Sequence, residues 1–179
     1  AYSGGFSVYA AAGGAAAVTS LDVSAAALEA AQANMALNQG DPHVGAARHT
    51  LLAEDAFADL ERLHAAGQTF DMVIVDPPAF AKRAAEIKRA LAAYARLTRL
   101  ALAVMDRAGG VFVMASCSSR VTPAIFFDTV TRAARAAGRP LSVSATTGHA
   151  LDHPIGFPEG EYLKCLFATV GKGRGAVTK

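Results

Sequence analysis

At 179 residues, with 53% hydrophobic and 18% charged side chains, the chain has the size and composition of one folded domain and excludes a disordered one. No apolar run reaches the length of a membrane span and no signal-like leader opens the sequence, which predicts a soluble, cytoplasmic protein. A net charge of +2 says little about partners, and two cysteines, Cys117 and Cys165, make no disulfide framework and fit free thiols in a reducing compartment.

The chain opens on AYSGGFSVYA, a glycine turn of the kind that follows a buried strand, with no strand before it. Residues 16–22 then read as a strand. Ser24 is placed to cap a helix over Ala25 to Asn38, and Gly40 to close it. His49 to Leu52 is a short strand candidate running toward Asp55, followed by a helix from Phe57 to Ala66 that stops at Gly67. FDMVIVD, Phe70 to Asp76, is a continuous apolar run that predicts a strand covered on both faces. Pro77 and Pro78 end it, since neither can donate to a ladder. A long helix is predicted over Ala84 to Met105, closing at Gly109-Gly110, then a strand from Val111 to Ser116 and a helix from Pro123 to Ala137. Leu141 to Thr146 and Tyr162 to Val170 are the last strands. This alternation predicts a doubly wound α/β fold with a mostly parallel sheet, occupying residues 1–170, and a basic flexible tail over 171–179.

In such sheets ligands bind beyond the carboxyl ends of the strands. Those ends carry Asp22, Asp55, Asp76 with Pro77-Pro78, and Ser116-Cys117-Ser118. Asp22 lies 17 positions after Gly5, close to the spacing between a glycine turn and a ribose-binding carboxylate; a surface Asp before a capped helix reads equally simply. Asp76 and the Pro77 carbonyl, held by rigid prolines, suit a planar group with an amino edge, and Phe80 can stack beside it. Cys117 between two serines at a strand end reads as a nucleophile, whereas Cys165, inside an alternating run, reads as core. His153, Glu159 and Lys164, in the connection before the last strand, either touch substrate or hold that loop shut. The other histidines show no metal-ligand spacing. Lys82, Arg83, Lys88 and Arg89, with Arg96 and Arg99 at helical spacing, read as a nucleic-acid surface or a solvated helix face.

Taken together, YSGGFS, SLDVS, DPPAF, SCS and FPEGEYLK resemble the class I S-adenosylmethionine-dependent methyltransferases. More narrowly the chain resembles the catalytic domain of bacterial 23S rRNA cytosine-5 methyltransferases that carry an N-terminal PUA domain. The resemblance implies a Rossmann-like fold, S-adenosylmethionine as cofactor, ribosomal RNA as substrate and a PUA-type domain upstream. It implies that Tyr2, Gly4 and Gly5 approach the methionine part of the cofactor, that Asp22 holds the ribose and Asp55 the adenine amino group. Asp76 is counted with both the cofactor and the catalytic residues, Cys117 is the nucleophile, and Pro77, Pro78, Phe80 and Lys82 meet the base or its strand. In the resembled family the glycine turn follows a first strand ending in an acidic residue. The expectation here is therefore a sheet lacking its first strand, with an open edge, weaker cofactor binding and lower stability.

Two further readings stand beside this one. An exocyclic-amine methyltransferase acting on RNA guanine or adenine would use Asp76 and the Pro77 carbonyl and need no Cys117. An RNA-binding remnant without activity would bind no S-adenosylmethionine.

Overall fold

The structure, a computed structural model, describes residues 1–157 and 160–171. Glu159 and the tail beyond Gly171 lie outside the described residues. The chain folds as two compact units, Ala1–Arg62 and Leu63–Lys179.

The first unit begins with helix α1 (Gly5–Ala12) and continues through strand β1 (Ala17–Leu21), helix α2 (Ala25–Leu37), helix α3 (Pro42–Ala46) and strand β2 (Arg48–Leu52) into helix α4 (Ala56–Ala65). β1 and β2 pair in parallel, with Leu21 opposite Leu52, so both carboxyl ends emerge together. Ala11, Met35 and Val44 form a small core against Val8, Val18 and Ala47. Ser24 caps α2 as its sequence predicts, accepting from the Ala27 amide at 3.2 Å. The helix ends at Leu37 with Asn38 as its cap residue, two positions short of Gly40. Two helices absent from the sequence expectation are present. α1 is small and apolar on every side, so it shows no amphipathic period. α3 is a single short helix whose Asp41 carboxylate accepts from the His43 and Val44 amides while Pro42 occupies the first turn.

The second unit holds strand β3 (Met72–Val75), a 3₁₀ turn (Ala84–Glu86), helix α5 (Ile87–Ala103), strand β4 (Gly110–Ser116), helix α6 (Pro123–Ala136), and strands β5 (Leu141–Thr147) and β6 (Lys164–Val170). Its sheet runs in the order β3-β4-β6-β5. β3 pairs with β4 in parallel through the α5 crossover. β6 pairs antiparallel with both β4 and β5, the chain doubling back between β5 and β6 with no α-helix among the described residues. Among the described residues the α/β fold is the one the sequence predicts, with parallel pairing at β1-β2 and β3-β4 and antiparallel pairing confined to β6. β4 is the covered strand, buried from Phe112 to Ser116, whereas Met72 of β3 is 49% exposed and the FDMVIVD run is not covered throughout. α5 stops at Ala103, short of the predicted Met105. Val104 and Met105 are drawn into the core, and the Phe70 backbone bonds to the Val104 carbonyl and the Asp106 amide.

Among the described residues β1, β2, β3 and β5 each pair along one edge only. No described helix is long and apolar enough to cross a membrane.

Candidate functional site

In the first unit the glycine turn and the end of β1 meet. Gly4 has φ +77° and is buried, and a Cβ on it would lie 2.6 Å from the Ala31 Cβ of α2, so only glycine lets the turn sit this close. Gly5 is open: a Cβ there would meet nothing within 4 Å, which leaves its backbone accessible to a ligand. Tyr2 adopts φ 48°, a left-handed conformation that costs a non-glycine residue about 1–2 kcal/mol. The contact that accompanies this strain is its amide, which donates to Asp22 Oδ2 at 2.7 Å. The Ala1 amino group reaches the same oxygen at 2.8 Å, and the Ser24 amide reaches Oδ1 at 3.0 Å. Burial alone would raise the Asp22 carboxyl; these donors outweigh it and hold its pKa at about 2. Asp22 is therefore a fixed carboxylate at the carboxyl end of β1.

Asp55 follows the neighbouring strand β2. Its Oδ1 accepts from the Phe57 and Ala58 amides at 3.0 and 3.2 Å, starting α4. A carboxylate offers about four acceptor sites, so the cap leaves capacity for a ligand amino group. Beneath the two strands runs a polar chain that the sequence did not signal. Ser7 Oγ lies 2.7 Å from Ser20 Oγ, and Ser20 Oγ lies 2.8 Å from His49 Nε2, tying α1 to β1 and β2. Burial lowers the His49 pKa.

In the second unit the Asp-Pro-Pro segment and the Ser-Cys-Ser segment meet. β3 and β4 are parallel with Val75 opposite Met114, so Asp76 and Cys117 leave the sheet at the same edge. The Cys117 thiol points to the Pro77 carbonyl at 3.9 Å, joining two motifs 40 residues apart. Desolvation around Asp76 raises its carboxyl pKa, even though the residue as a whole is exposed. Pro77 and Ala79 are half-buried, and Pro78 and Lys82 are exposed. Phe80 packs its ring on Tyr94 of α5 at 5.0 Å.

The serines flanking Cys117 are anchors. Ser116 Oγ is 2.7 Å from Tyr94 Oη, and Ser118 Oγ donates to the Ala81 carbonyl at 2.8 Å, so the turn is bound to α5 and to the Asp-Pro-Pro loop. Lys164, only 2% exposed, donates its ammonium to the Ser118 and Tyr162 carbonyls from the first position of β6, which pairs with Ser116. Its alternative as a substrate contact gives way to the structural one: it holds the turn that presents Cys117. Burial lowers its pKa, opposed by the nearby Cys117. The connection before β6 is organised by His149, whose Nε2 accepts from the Tyr162 and Leu163 amides at 3.2 and 3.1 Å. His153 stacks on that ring at 5.4 Å.

The two cysteines differ. Cys165 is half-buried in β6, and burial, with the Asp76 charge nearby, pushes its thiol up to about 11. It stays protonated at neutral pH. Cys117, also half-buried, stands at the strand edge instead.

Comparison with known proteins identifies the family. Residues 1–163 match the model of a family described as S-adenosylmethionine-dependent methyltransferase. A ribosomal RNA large subunit methyltransferase from Deinococcus radiodurans is 44% identical over 166 residues, covering 93% of this chain and 40% of that protein. A ribosomal RNA large subunit methyltransferase I from Shewanella amazonensis is 39% identical over 172 residues, covering 94% of this chain and 42% of its own length. The chain thus spans well under half of these relatives. Among solved structures, a methyltransferase complexed with SAH superposes with TM-score 0.75 at 23% identity, over 92% of this chain and 42% of that one. A methyltransferase from Agrobacterium tumefaciens gives 0.64 at 21%, over 96% and 53%. Those two share the Rossmann-like fold of class I methyltransferases. The match over nearly the whole sequence makes this chain a member of the S-adenosylmethionine-dependent methyltransferase family.

Proposed function

We propose that this chain carries the catalytic machinery of an RNA cytosine-C5 methyltransferase acting on large-subunit ribosomal RNA. The observation that carries the reading is the Cys117 thiol set 3.9 Å from the Pro77 carbonyl, which brings the Ser-Cys-Ser and Asp-Pro-Pro segments side by side. The relatives' names, both ribosomal RNA large subunit methyltransferases, support the substrate class.

The residues present fit the cofactor of the family. The open backbone at Gly5 admits its methionine part, the ionised Asp22 accepts from a ribose diol, and Asp55 has capacity for the adenine amino group. S-adenosylmethionine supplies an electrophilic methyl on a sulfonium when bound. The residues of the second unit supply the nucleophilic partner. C5 of cytosine is a poor nucleophile until the Cys117 thiolate adds to C6. The new S–C6 bond moves the C5–C6 electron pair toward C5, which becomes enamine-like and takes up the methyl. Loss of the C5 proton to water or another acceptor restores the double bond and expels the Cys117 sulfur. Asp76 and the Pro77 carbonyl accept from the cytosine amino edge and hold the ring against the thiol. The base must leave any stack to enter, which favours a single-stranded or looped target.

The test is mass spectrometry of nucleosides from RNA treated with the chain and S-adenosylmethionine. Product 5-methylcytosine that disappears with Cys117→Ala supports the reading. C5 methylation at the parent rate by Cys117→Ala refutes it. The second reading, methylation of an exocyclic amine through Asp76 and Pro77, predicts an N-methylated base and indifference to Cys117→Ala.

A further inference from the structure

Charge is divided unevenly along this chain. Residues 1–62 carry seven acidic residues against two basic ones, whereas residues 63–179 carry fifteen basic against eight acidic. The near-neutral total therefore conceals a strongly basic second unit. Its longest helix concentrates that charge: α5 contains Lys88, Arg89, Arg96 and Arg99 and no acidic residue. All four are exposed, with exposed Ala92 among them. At about 100° per residue they fall within roughly one quarter to one third of the helix circumference. The opposite face, Ala90, Tyr94, Leu97, Thr98, Ala101 and Leu102, is buried. The basic row extends about 16 Å from Lys88 to Arg99 at 1.5 Å per residue. Just before it stand exposed Lys82 and Arg83, which continue directly from the Asp-Pro-Pro-Ala-Phe loop.

A solvated helix face normally mixes both signs, since like charges at helical spacing repel one another. Within α5 this face carries no acid; Glu86, just before the helix, accepts from the Lys82 and Arg83 amides and lies near the Arg89 charge. It also lacks the aromatic and large aliphatic side chains with which an interfacial helix enters a membrane. Three of its four cations are arginines, whose planar fork suits phosphate oxygens. The helix is braced against the site: Tyr94 bonds to Ser116 beside Cys117 at 2.7 Å, and its ring packs on Phe80 at 5.0 Å.

We propose that Lys88, Arg89, Arg96 and Arg99, with Lys82 and Arg83 leading into them, form a phosphate-binding track for the RNA strand that flanks the target nucleotide. This rests on the reading of the chain as an RNA methyltransferase and adds where the strand lies. The track recognises backbone and not bases, so it contributes affinity and register while the pocket at Cys117 selects the nucleotide. An RNA strand entering along α5 passes Arg99 and Arg96 before Arg89 and Lys88, and reaches the Asp76 loop at Arg83 and Lys82.

The experiment compares the whole chain with a triple variant, Arg89→Gln, Arg96→Gln and Arg99→Gln, in binding a fluorescent single-stranded RNA across a salt series without cofactor. Each phosphate contact to a single strand contributes about 0.7 to the slope of log K on log salt. The triple variant should flatten that slope by about 2 and bind roughly 10- to 100-fold more weakly near 0.1 M salt. KM for RNA should rise while kcat at saturating RNA stays at the parent value. A matched pair on α6, Arg132→Gln with Arg135→Gln, should change the slope much less. An unchanged slope in the triple variant, or an equal loss in the α6 variant, overturns the track. If melting shows the triple variant unfolded, the double variant Arg89→Gln with Arg99→Gln decides instead, with an expected flattening of about 1.4. The outcome is independent of the methylated position. An N-methylated product with an intact salt effect refutes the C5 reading alone, and 5-methylcytosine made by a chain whose slope ignores α5 refutes the track alone.

Discussion

Cys117 owes its position to neighbours that take no part in bond making. Tyr94 holds Ser116, the Ala81 carbonyl holds Ser118, and Lys164 holds the Ser118 carbonyl from below. Substituting Lys164 by Met removes the donor from two carbonyls and should cost about 1–3 kcal/mol, read as a lower melting temperature. Its kcat should fall further than its cofactor affinity, because Asp22 and Asp55 belong to the other unit. A Lys164→Met chain with parent kcat would show that the turn needs no such anchor. The thiols give a second expectation: at neutral pH iodoacetamide should label Cys117 well before Cys165, whose pKa near 11 leaves almost no thiolate. Peptide mapping checks it, and preferential labelling of Cys165 would reverse the assignment. The proposed reactive positions could be picked out in the sequence because Ser-Cys-Ser and Asp-Pro-Pro are short local patterns at strand ends. The supports could not, since Tyr94 and Ser116 are 22 residues apart and Lys164 and Ser118 are 46 apart. Only folding makes them neighbours.

Strands and helices show the same division between local and distant information. Ser24 marks the start of α2, and Thr122, accepting from the Ile125 amide at 3.5 Å, starts α6, so caps report starts well. Ends were less legible: α5 stops where Val104 and Met105 are taken by the core, a tertiary choice no capping residue announces. The antiparallel insertion of β6 was equally hidden, because a run of alternating residues does not say which neighbour it will choose. The Ser7–Ser20–His49 chain makes an element-level prediction. Burial holds the His49 pKa below its ordinary 6.5, so the unfolded chain binds that proton more readily. The associated stability is complete above pH 6.5 and is lost as pH falls from there through the lower folded value. Melting temperature should therefore drop across that window in the parent, and a His49→Gln chain should show a smaller drop. Equal pH dependence in the two chains would place the proton elsewhere.

Over the full sequence, the proposed roles divide much as the fold does. Asp22 and Asp55, proposed for the cofactor, fall in residues 1–62, while Cys117, the Asp-Pro-Pro loop with Asp76, and the basic helix fall in residues 63–179. Asp22→Ala should accordingly weaken S-adenosylmethionine binding in calorimetry about 10- to 100-fold, the value of one or two charge-assisted hydrogen bonds, and leave RNA affinity untouched. Cys117→Ala should leave both affinities unchanged. If Asp22→Ala binds the cofactor as the parent does, the ribose assignment fails. The open edges of β1 and β3 carry a consequence for handling the protein. Each offers a row of backbone donors and acceptors with no strand beside it among the described residues, a template onto which any extended chain can add. Concentrated samples should associate with a steep dependence on protein concentration, visible by light scattering. A short β-strand peptide with an edge-blocking proline should suppress that association. Solubility, on this view, is limited by open strand edges and not by the apolar side chains in which the sequence is so rich.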